Sequence, residues 1–396
     1  MKRKALFAIF CIALMGIAVV GCGGGGSSTT SSTAGESSSG SPSSSQTTAS
    51  SSSSGSTAAI VGKAKAFVAK VSGPTNGNPE GFKPVTVPPG KTVGIVECGV
   101  GIVGCTEAAE GAAQAAKMIG WQSFTIEAKE FSPPALAAAL EEAVQRKPDV
   151  IIAPGGSDAS RPQAMTKAKE AGIPVISAFA GNEVQPPVED PSTGNVDANY
   201  TEQGEADAYF AIANSGGDVK VAIQEDQTSA AIVARYKGFE KVLEADPEGE
   251  VVTTGVATTI ADANAERTLV SGWLAQYPKG DLNYVMTGSD AEATGAIQAI
   301  NTAGRSDVKV LSYDCQLESL AEIIKGGAQI VCANTPLVNM AWEAMDLAIR
   351  ALDGEKVETL LVPTSLITKE NAPPEGQFPE TYDPEAFFKT IWKVTG

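Results

Sequence analysis

Polar and aromatic side chains stand directly after several short apolar runs of this sequence. Where such runs form parallel strands, their carboxyl ends lie at one edge of a sheet, and small ligands bind beyond that edge. The residues in these positions that we expect to contact a ligand are Ser157, Asp158, Phe179, Ser289, Asp290, Asp314 and Asn334. Hydroxyl, carboxylate and amide groups exchange hydrogen bonds with a polar solute, and an aromatic ring offers it an apolar face. The pattern therefore predicts a binding site for a small polar ligand.

The sequence contains no histidine. This removes the commonest general base, the Ser-His and Cys-His nucleophile pairs, and the imidazole ligands of most metal sites. Carboxylates remain, and a pair such as Asp226 and Asp314 across a cleft is a conceivable glycosidase arrangement. Helix capping and hydrogen bonding to hydroxyls explain these acids without catalysis. We therefore expect a binding protein that is not an enzyme and that needs no metal or cofactor.

The N-terminal segment indicates lipid modification at Cys22. Three basic residues precede an apolar run from Ala5 to Val20, which is short for a membrane-spanning helix and typical of a secretory signal peptide. Val19-Val20-Gly21-Cys22 resembles a lipobox, so residues 1–21 are predicted to be removed and Cys22 to be acylated. The alternative is an ordinary secretory peptide with an incidental cysteine. Each buried methylene of an acyl chain contributes about 0.8 kcal/mol, so several chains would anchor the protein to the membrane permanently.

The segment after Cys22 is rich in Gly, Ser, Thr and Ala, a composition that buries too little apolar surface to fold. We assign 22–57 to the lipidated cysteine and a tether that reaches roughly 30 to 35 Å, and 58–90 to a short helix and a Pro-rich lead-in. Removal of residues 1–21 takes away three of the 29 basic residues and none of the 46 acidic ones, which shifts the net charge from −17 to −20. So acidic a surface repels phosphate backbones, and no nucleic-acid partner is expected.

Four further cysteines follow in the part of the chain expected to fold. They are Cys98, Cys105, Cys315 and Cys332. An even number in an exported domain indicates disulfides, and three pairings are possible. Pairing within each local pair fits the predicted strands. A metal site would require thiolates from separate parts of the sheets to converge, and no Cys-x-x-Cys spacing supports a redox role.

The rest of the chain alternates short β-type runs with alanine-rich helical segments, and the alternation restarts after a polar loop at 181–194. This pattern predicts parallel sheets covered by helices, and two arrays of this size exceed what one core usually supports. We predict an α/β fold of two doubly wound parallel-sheet lobes joined by a hinge. The N-terminal lobe is assigned to 91–194 and 335–362, and the C-terminal lobe with its tail to 195–334 and 363–396.

Several segments between Lys91 and about Glu370 have the order and spacing of a known family. They are Lys147–Ile152 with Gly156–Asp158, Ala171–Ile176, Arg235–Phe239, Ser289–Asp290 with Gly295–Ile297, and Ser312–Asp314. Together they resemble the type I periplasmic substrate-binding proteins of ABC transporters, of the ribose-binding-like group and in lipoprotein form.

The resemblance implies roles for individual residues. Arg235, in an Arg-x-x-Gly-Phe segment, would reach the ligand, and Asp314 would accept hydrogen bonds from sugar hydroxyls. Ser289 and Asp290 match the family's Asn-Asp pair, and Asn334 falls where a glutamine commonly contacts the ligand at the hinge. The alternatives are a helix-surface ion pair for Arg235 and helix caps for Asp314 and Asp290.

Two departures from the family bear on the ligand. Sugar-binding relatives usually carry aromatic residues after the first strand, whereas this sequence has Gly99–Val103 there. After the fourth strand Phe179-Ala180 replaces an Asp-Arg pair. The sequence thus predicts a cleft without the usual stacking rings, in which one aromatic platform has moved to Phe179, and it weakens the case for ribose or another monosaccharide.

The resemblance implies an extracytoplasmic lipoprotein, anchored to the cell membrane, that captures a small polar solute such as a sugar or sugar derivative and delivers it to an ABC permease by lobe closure. A membrane-tethered sensor that signals to a receptor is an alternative with the same closure. A carboxylate-based glycoside hydrolase is a minor alternative. A transcription repressor is contradicted by the export signal and the lack of a helix-turn-helix segment.

Overall fold

The computed structural model describes the folded part of the chain from the end of the predicted tether onward. The described residues are 49–73, 79, 81–182, 192–227, 229–257, 262–379 and 382–394. The predicted signal peptide, the predicted lipid site at Cys22 and the tether as far as residue 48 lie outside the described residues. No helix in these described ranges combines the length and the apolar character needed to cross a membrane.

The first lobe is built on a fully parallel six-stranded sheet. Its strands are β1 (Thr92–Glu97), β2 (Gln122–Glu127), β3 (Val150–Pro154), β4 (Val175–Ala178), β5 (Gly194–Ala198) and β11 (Leu360–Val362). They lie in the order β11-β5-β4-β3-β1-β2. The helices that pack on this sheet are α2 (Val103–Met118), α3 (Pro133–Gln145), α4 (Pro162–Glu170) and α10 (Leu337–Leu352). β3 is buried along its whole length, as a central strand covered on both faces must be.

The second lobe repeats the arrangement. Its strands are β6 (Lys220–Gln224), β7 (Glu250–Gly255), β8 (Tyr284–Met286), β9 (Lys309–Asp314), β10 (Gln329–Asn334) and β12 (Leu366–Thr368). They lie in the order β12-β10-β9-β8-β6-β7, and only the edge strand β12 runs antiparallel to its neighbour among the described pairings. The helices of this lobe are α5 (Tyr200–Ser215), α6 (Ala230–Leu243), α7 (Ala263–Gln276), α8 (Asp290–Ala303) and α9 (Leu317–Lys325). The predicted fold of two doubly wound lobes is confirmed.

Local sequence explains where the helices near the cleft begin. The side chain of Asn199 accepts a hydrogen bond from the N–H of Glu202 at 3.1 Å and caps α5. The Ser229 hydroxyl accepts one from the N–H of Ile232 at 3.5 Å at the start of α6. Since α6 begins directly after Ser229, its second turn carries Arg235 beside the carboxyl end of β9.

The lobe boundaries differ from the predicted ones at two places. β5 belongs to the first sheet, so that lobe continues to Ala198, beyond the predicted boundary at 194. The tail also returns to the first lobe, where helix α11 (Pro384–Ile391) packs with stacked rings against Trp342. Burial of these rings explains why the tail leaves the second lobe after β12.

The lead-in contacts both lobes. Helix α1 (Ala49–Val71) begins inside the predicted tether and packs on α5, where the rings of Phe67 and Tyr209 have centroids 4.7 Å apart. At its end Ser72 pairs with Leu366 of β12 in the second lobe. Val85 then joins the hydrophobic core of the first lobe. Since α1 begins at Ala49, its first turns overlap the predicted tether.

Candidate functional site

The carboxyl ends of both sheets border one cavity between the lobes. It has a volume of about 600 Å³, its open mouth included. Its walls are formed by Ile102, Gly104, Cys105, Phe131, Phe179, Tyr200, Ser229, Ala231, Ile232, Arg235, Ser289, Ala291, Asp314, Gln316, Thr335 and Leu337. A cavity bordered by side chains of both lobes suits a small organic solute.

Arg235 is fixed at the base of the cavity by a set of hydrogen bonds. Its Nε donates to Gln203 Oε1 at 3.0 Å and its Nη1 donates to the carbonyl of Gly288 at 2.8 Å. Its Nη2 donates to Asp314 Oδ1 at 2.6 Å and to the Thr335 hydroxyl at 2.9 Å. The residue is only 3% exposed, so it is not the helix-surface ion pair that was the alternative. The guanidinium is a rigid, pre-oriented donor.

Asp314 is the acceptor of this pair and lies at the end of β9. Its side chain keeps 15% of its exposure and borders the cavity. Its φ of +90° is unusual for a residue other than glycine and turns the chain sharply at the strand exit. It does not cap α9, whose N-cap is Gln316. Desolvation lowers and the Asp314 carboxylate raises the pKa of Arg235, and the net shift is upward, so the guanidinium stays charged.

The first lobe supplies two rings to the cavity: Phe179, which the sequence predicts, and Phe131, which it does not. Phe131 and Phe179 both line the cavity, and Tyr200 lines it at the crossing between the lobes. The loop after β1 carries no ring, as predicted, but rings from other loops line the cavity. Phe131 follows β2 at its carboxyl end, so the strand-exit rule that predicts Phe179 applies to Phe131 as well.

The remaining predicted contacts divide into two groups. Ser289 lines the cavity, whereas Asn334 borders a smaller adjoining cavity and donates to the Pro379 carbonyl at 3.1 Å. Asp290 is turned away and accepts from the N–H of Gln316 at 2.8 Å and from Gln329 Nε2 at 3.0 Å. It holds the loop after β9 instead of bordering the main cavity.

Ser157 and Asp158 also do not line the cavity, contrary to expectation. Asp158 is fully buried and accepts hydrogen bonds from Ser177 at 2.8 Å, Asn182 at 2.8 Å and Arg161 at 3.2 Å. Ser157 is 3% exposed, and its carbonyl accepts from the Ser160 hydroxyl at 2.6 Å. Both residues form hydrogen bonds within the first lobe, because neighbouring side chains cover the carboxyl end of β3.

Both local disulfides are present at the cleft. Cys98 pairs with Cys105, with Cα atoms 5.1 Å apart, and Cys315 pairs with Cys332, with Cα atoms 5.4 Å apart. These separations are usual for disulfides. The first bond lies on the cavity wall through Cys105, and the second follows directly after Asp314. Within the described ranges, no cluster of three or more Cys, Asp or Glu side chains is arranged to hold a metal ion.

Comparison with known proteins agrees with this geometry. Residues 97–356 match the family described as "Periplasmic binding protein domain". The chain belongs to this family. It is 28% identical over 243 residues to the D-apiose import binding protein of Actinobacillus succinogenes, across 59% of this chain and 74% of the relative. It is also 28% identical over 234 residues to the ribose import binding protein RbsB of Bacillus subtilis, across 58% and 72%.

The fold has close counterparts among solved structures. An ABC transporter solute binding protein from Bacillus halodurans, with bound myo-inositol, superimposes with a TM-score of 0.62 at 22% identity and covers 74% of this chain and 98% of that one. This similarity establishes the type I periplasmic binding protein fold.

Periplasmic binding proteins of this kind bind solutes without converting them, so this protein is not an enzyme. The minor hydrolase alternative is accordingly disfavoured.

The lobes of this periplasmic binding protein are closed on the cavity. A Cβ added at Gly104 of the first lobe would lie 3.0 Å from Gln316 Nε2 of the second. On the other side of the cavity, a Cβ at Gly181 would lie 3.0 Å from Ala230 Cβ. Two glycines thus permit the close approach of the lobes at these contacts.

Closure gathers acidic groups from both lobes. Burial, and then the charges of Glu318, Asp314 and Asp290, raise the pKa of Glu107 on α2 to about 7. Burial, followed by the charge of Asp314, raises the pKa of Asp290 to about 7. Arg235 is the single cationic side chain among the described residues that line the cavity.

Proposed function

We propose that this protein is a membrane-anchored receptor that captures a small sugar or polyol outside the cytoplasm and presents it to an ABC permease. The observation that carries the proposal is the Arg235–Asp314 pair at the base of an enclosed interlobe cavity. Hydroxyl groups donate to a carboxylate and accept from a guanidinium, so the pair suits a neutral polyhydroxy solute. A neutral ligand also leaves the balanced charge of the pair undisturbed.

The relatives support the same class of ligand. Their names specify D-apiose and ribose import, and the solved counterpart holds myo-inositol. All three are small and rich in hydroxyl groups. The cavity adds further hydroxyl and amide partners at Ser229, Ser289, Gln316 and Thr335.

Lobe closure would bury the ligand and present one defined form to the permease. Three crossings between the lobes lie after β5, after β10 and between β11 and β12, and the lead-in and the tail cross as well. Connections that lie at one edge of both sheets allow a hinge motion. Since bound solute contacts both walls, its affinity is higher for the closed form, and binding shifts the population toward closure.

Anchoring through Cys22 would place this capture at the outer face of the cell membrane. The proposal rests on the lipobox-like segment Val19–Cys22. The tether leads into α1, which packs on the second lobe, so that lobe would be held and the first lobe would swing. Cys22→Ser should move the protein from the membrane fraction to the soluble fraction, and retention in the membrane would contradict the anchor.

A thermal-shift screen of sugars and polyols on the full-length protein tests the ligand class. A ligand at 100 times its Kd stabilises the folded state by about 2.7 kcal/mol, which raises the Tm by several degrees. Asp314→Asn should reduce or abolish this shift. Asp307→Asn, in the surface pair with Arg305, is the matched control and should leave it unchanged. An unchanged shift in Asp314→Asn would contradict the assigned site.

A further inference from the structure

The two walls of the cavity differ in chemistry. The lining side chains of the first lobe are Ile102, Cys105, Phe131, Phe179 and Leu337, and Gly104 adds backbone only. None of these described side chains carries a hydroxyl, amide or charge. The polar lining side chains of the second lobe and the adjoining crossing are Ser229, Arg235, Ser289, Asp314, Gln316 and Thr335. Ala231, Ile232 and Ala291 of the second lobe also line the cavity and are apolar. Among the described lining residues, the hydrogen-bonding side chains therefore come from the second lobe and the crossing, and the first lobe offers only apolar ones.

The apolar wall is a continuous patch of closely packed side chains. The ring of Phe131 packs over Gly155, where an added Cβ would lie 3.0 Å from Phe131 Cε2 and 2.8 Å from Cys98 Cβ. At Gly99 an added Cβ would lie 2.8 Å from Ile102 Cδ1. Two glycines at strand exits thus let Phe131, Ile102 and the Cys98–Cys105 disulfide form one continuous patch. A larger residue at either glycine would displace it.

The polar wall is held in place by hydrogen bonds within the protein. Four hydrogen bonds fix Arg235, and its guanidinium also lies 4.6 Å from the ring centroid of Tyr313. Asp314 is held by that guanidinium at 2.6 Å. Because the polar groups of this wall are rigid, a ligand binds well only if its hydroxyls lie at matching positions on the face turned toward the wall.

A fully hydroxylated solute fits such a cavity poorly. A hydroxyl turned toward the first lobe would lose its water and gain no side-chain partner among the described lining residues of that lobe, which weakens binding by roughly ten-fold for each group. A hydrocarbon group in the same place gains by leaving water. It would also stack against the rings of Phe131 and Phe179.

We propose that the ligand is a polyol or glycoside that carries a hydrocarbon substituent, with its hydroxyls toward the second lobe and its substituent toward the first. This inference rests on the proposed function and narrows it to alkyl- or aryl-substituted sugars. Nucleosides are a poorer match, because the polar edges of a base would face side chains that cannot hydrogen-bond them.

Titration calorimetry of the full-length protein with matched ligands tests the proposal. The probes are the free sugar, the methyl glycoside and the phenyl glycoside of glucose, galactose, xylose and ribose, with myo-inositol, uridine and adenosine. For the sugar that binds, we expect the phenyl glycoside to bind at least ten-fold more tightly than the free sugar. Phe131→Asn should reduce this preference at least five-fold, since it removes the ring and introduces a hydrogen-bonding group.

Phe124→Ala is the matched control, because Phe124 lies on β2 outside the cavity, beside Arg146. It should leave the preference unchanged. If free sugars bind as tightly as their phenyl glycosides, the ligand does not need a hydrocarbon substituent. The proposal of a substituted sugar is then overturned, and the proposed function is unaffected. Tighter binding of the nucleosides would overturn the hydrocarbon assignment. Absence of binding by every probe would overturn the proposed function itself.

Discussion

Each lobe buries an arginine–aspartate pair at the exit of a strand, and the two pairs have different surroundings. In the first lobe Arg161 lies 3.2 Å from Asp158, and both side chains are completely buried. In the second lobe Arg235 lies 2.6 Å from Asp314, and Asp314 remains 15% exposed. The same chemistry therefore occurs once inside a core and once on a cavity wall.

The partners of the two pairs explain the difference. Asp158 is also bonded by Ser177 and Asn182, which close over it within the lobe. Asp314 accepts from Arg235 and borders the interlobe cavity. A buried ion pair contributes to ligand recognition only where empty space adjoins it. Where protein surrounds it on every side, it acts on the fold alone.

The largest expected effect is the loss of stability when the buried Arg161–Asp158 pair is broken. Asp158→Ala leaves Arg161 buried without its counter-ion, which should lower the free energy of unfolding by about 3 to 5 kcal/mol. Urea denaturation measures this loss. Protein that still folds should bind ligand with unchanged affinity.

The paired replacement Asp158→Leu with Arg161→Met serves as the control for this experiment. It removes both charges together, so it should recover most of the lost stability. A large loss of affinity in Asp158→Ala without loss of stability would remove the distinction between the two pairs.

The two disulfides extend the comparison between the lobes, because one lies on each wall of the cavity. Replacing Cys315 and Cys332 by Ala should cost about 3 kcal/mol of stability, and replacing Cys98 and Cys105 about 2 kcal/mol, since the loops close over 17 and 7 residues. The first double variant should also weaken ligand binding, because Cys315 fixes the backbone next to Asp314. Denaturation and calorimetry separate the two effects. Equal affinity in the wild type and this variant would show that Asp314 is held without the disulfide.

Lysine substitutions at the two arginines should have smaller effects, and they separate an effect on affinity from an effect on stability. Arg235→Lys cannot reproduce the fork that reaches Gln203, Gly288 and Asp314, so affinity should fall about 10- to 100-fold. Arg161→Lys should reduce stability by roughly 1 to 3 kcal/mol and leave affinity unchanged. Calorimetry and urea denaturation of both variants give the comparison directly. Similar losses of affinity in the two lysine variants would contradict the different roles of the two pairs.

The smallest expected effect is a pH dependence of stability from buried acids of the second lobe. Burial raises the pKa of Glu266 to about 9 and that of Glu292 to about 8, in each case with a smaller contribution from a nearby acid. Between pH 5 and 8 the folded state therefore binds more protons than the unfolded state, so stability falls as pH rises. The slope approaches about 1.4 kcal/mol per pH unit for each group that titrates.

Glu266→Gln should make this fall shallower, because the amide does not ionise. Glu170→Gln, at an exposed position on α4, is the surface control. Urea denaturation at several pH values compares them. A slope unaffected by Glu266→Gln would show that another group dominates the pH dependence.

Much of the fold follows from the sequence. The predicted alternation of short strands and helices is present, for example in Leu317–Lys325, Gln329–Asn334 and Leu337–Leu352. Long periodic helices and short apolar strands carry strong local signals. β5 was missed because Asn195 and Asp197 interrupt its apolar pattern, and their side chains bond to each other inside the protein at 3.2 Å. β11 and β12 are only three residues long and carry little signal.

Polar groups at strand exits, two sheets and cysteines beside the cleft could all be predicted from the residue pattern. Those properties depend on local periodicity, which neighbouring residues set. Which strand exits remain open depends on packing: Asp314 borders a cavity, Asp158 is enclosed, and Phe131 supplies a ring from an unexpected loop. Whether a side chain faces space or protein depends on residues distant in the chain, and their approach is fixed only when the lobes pack together.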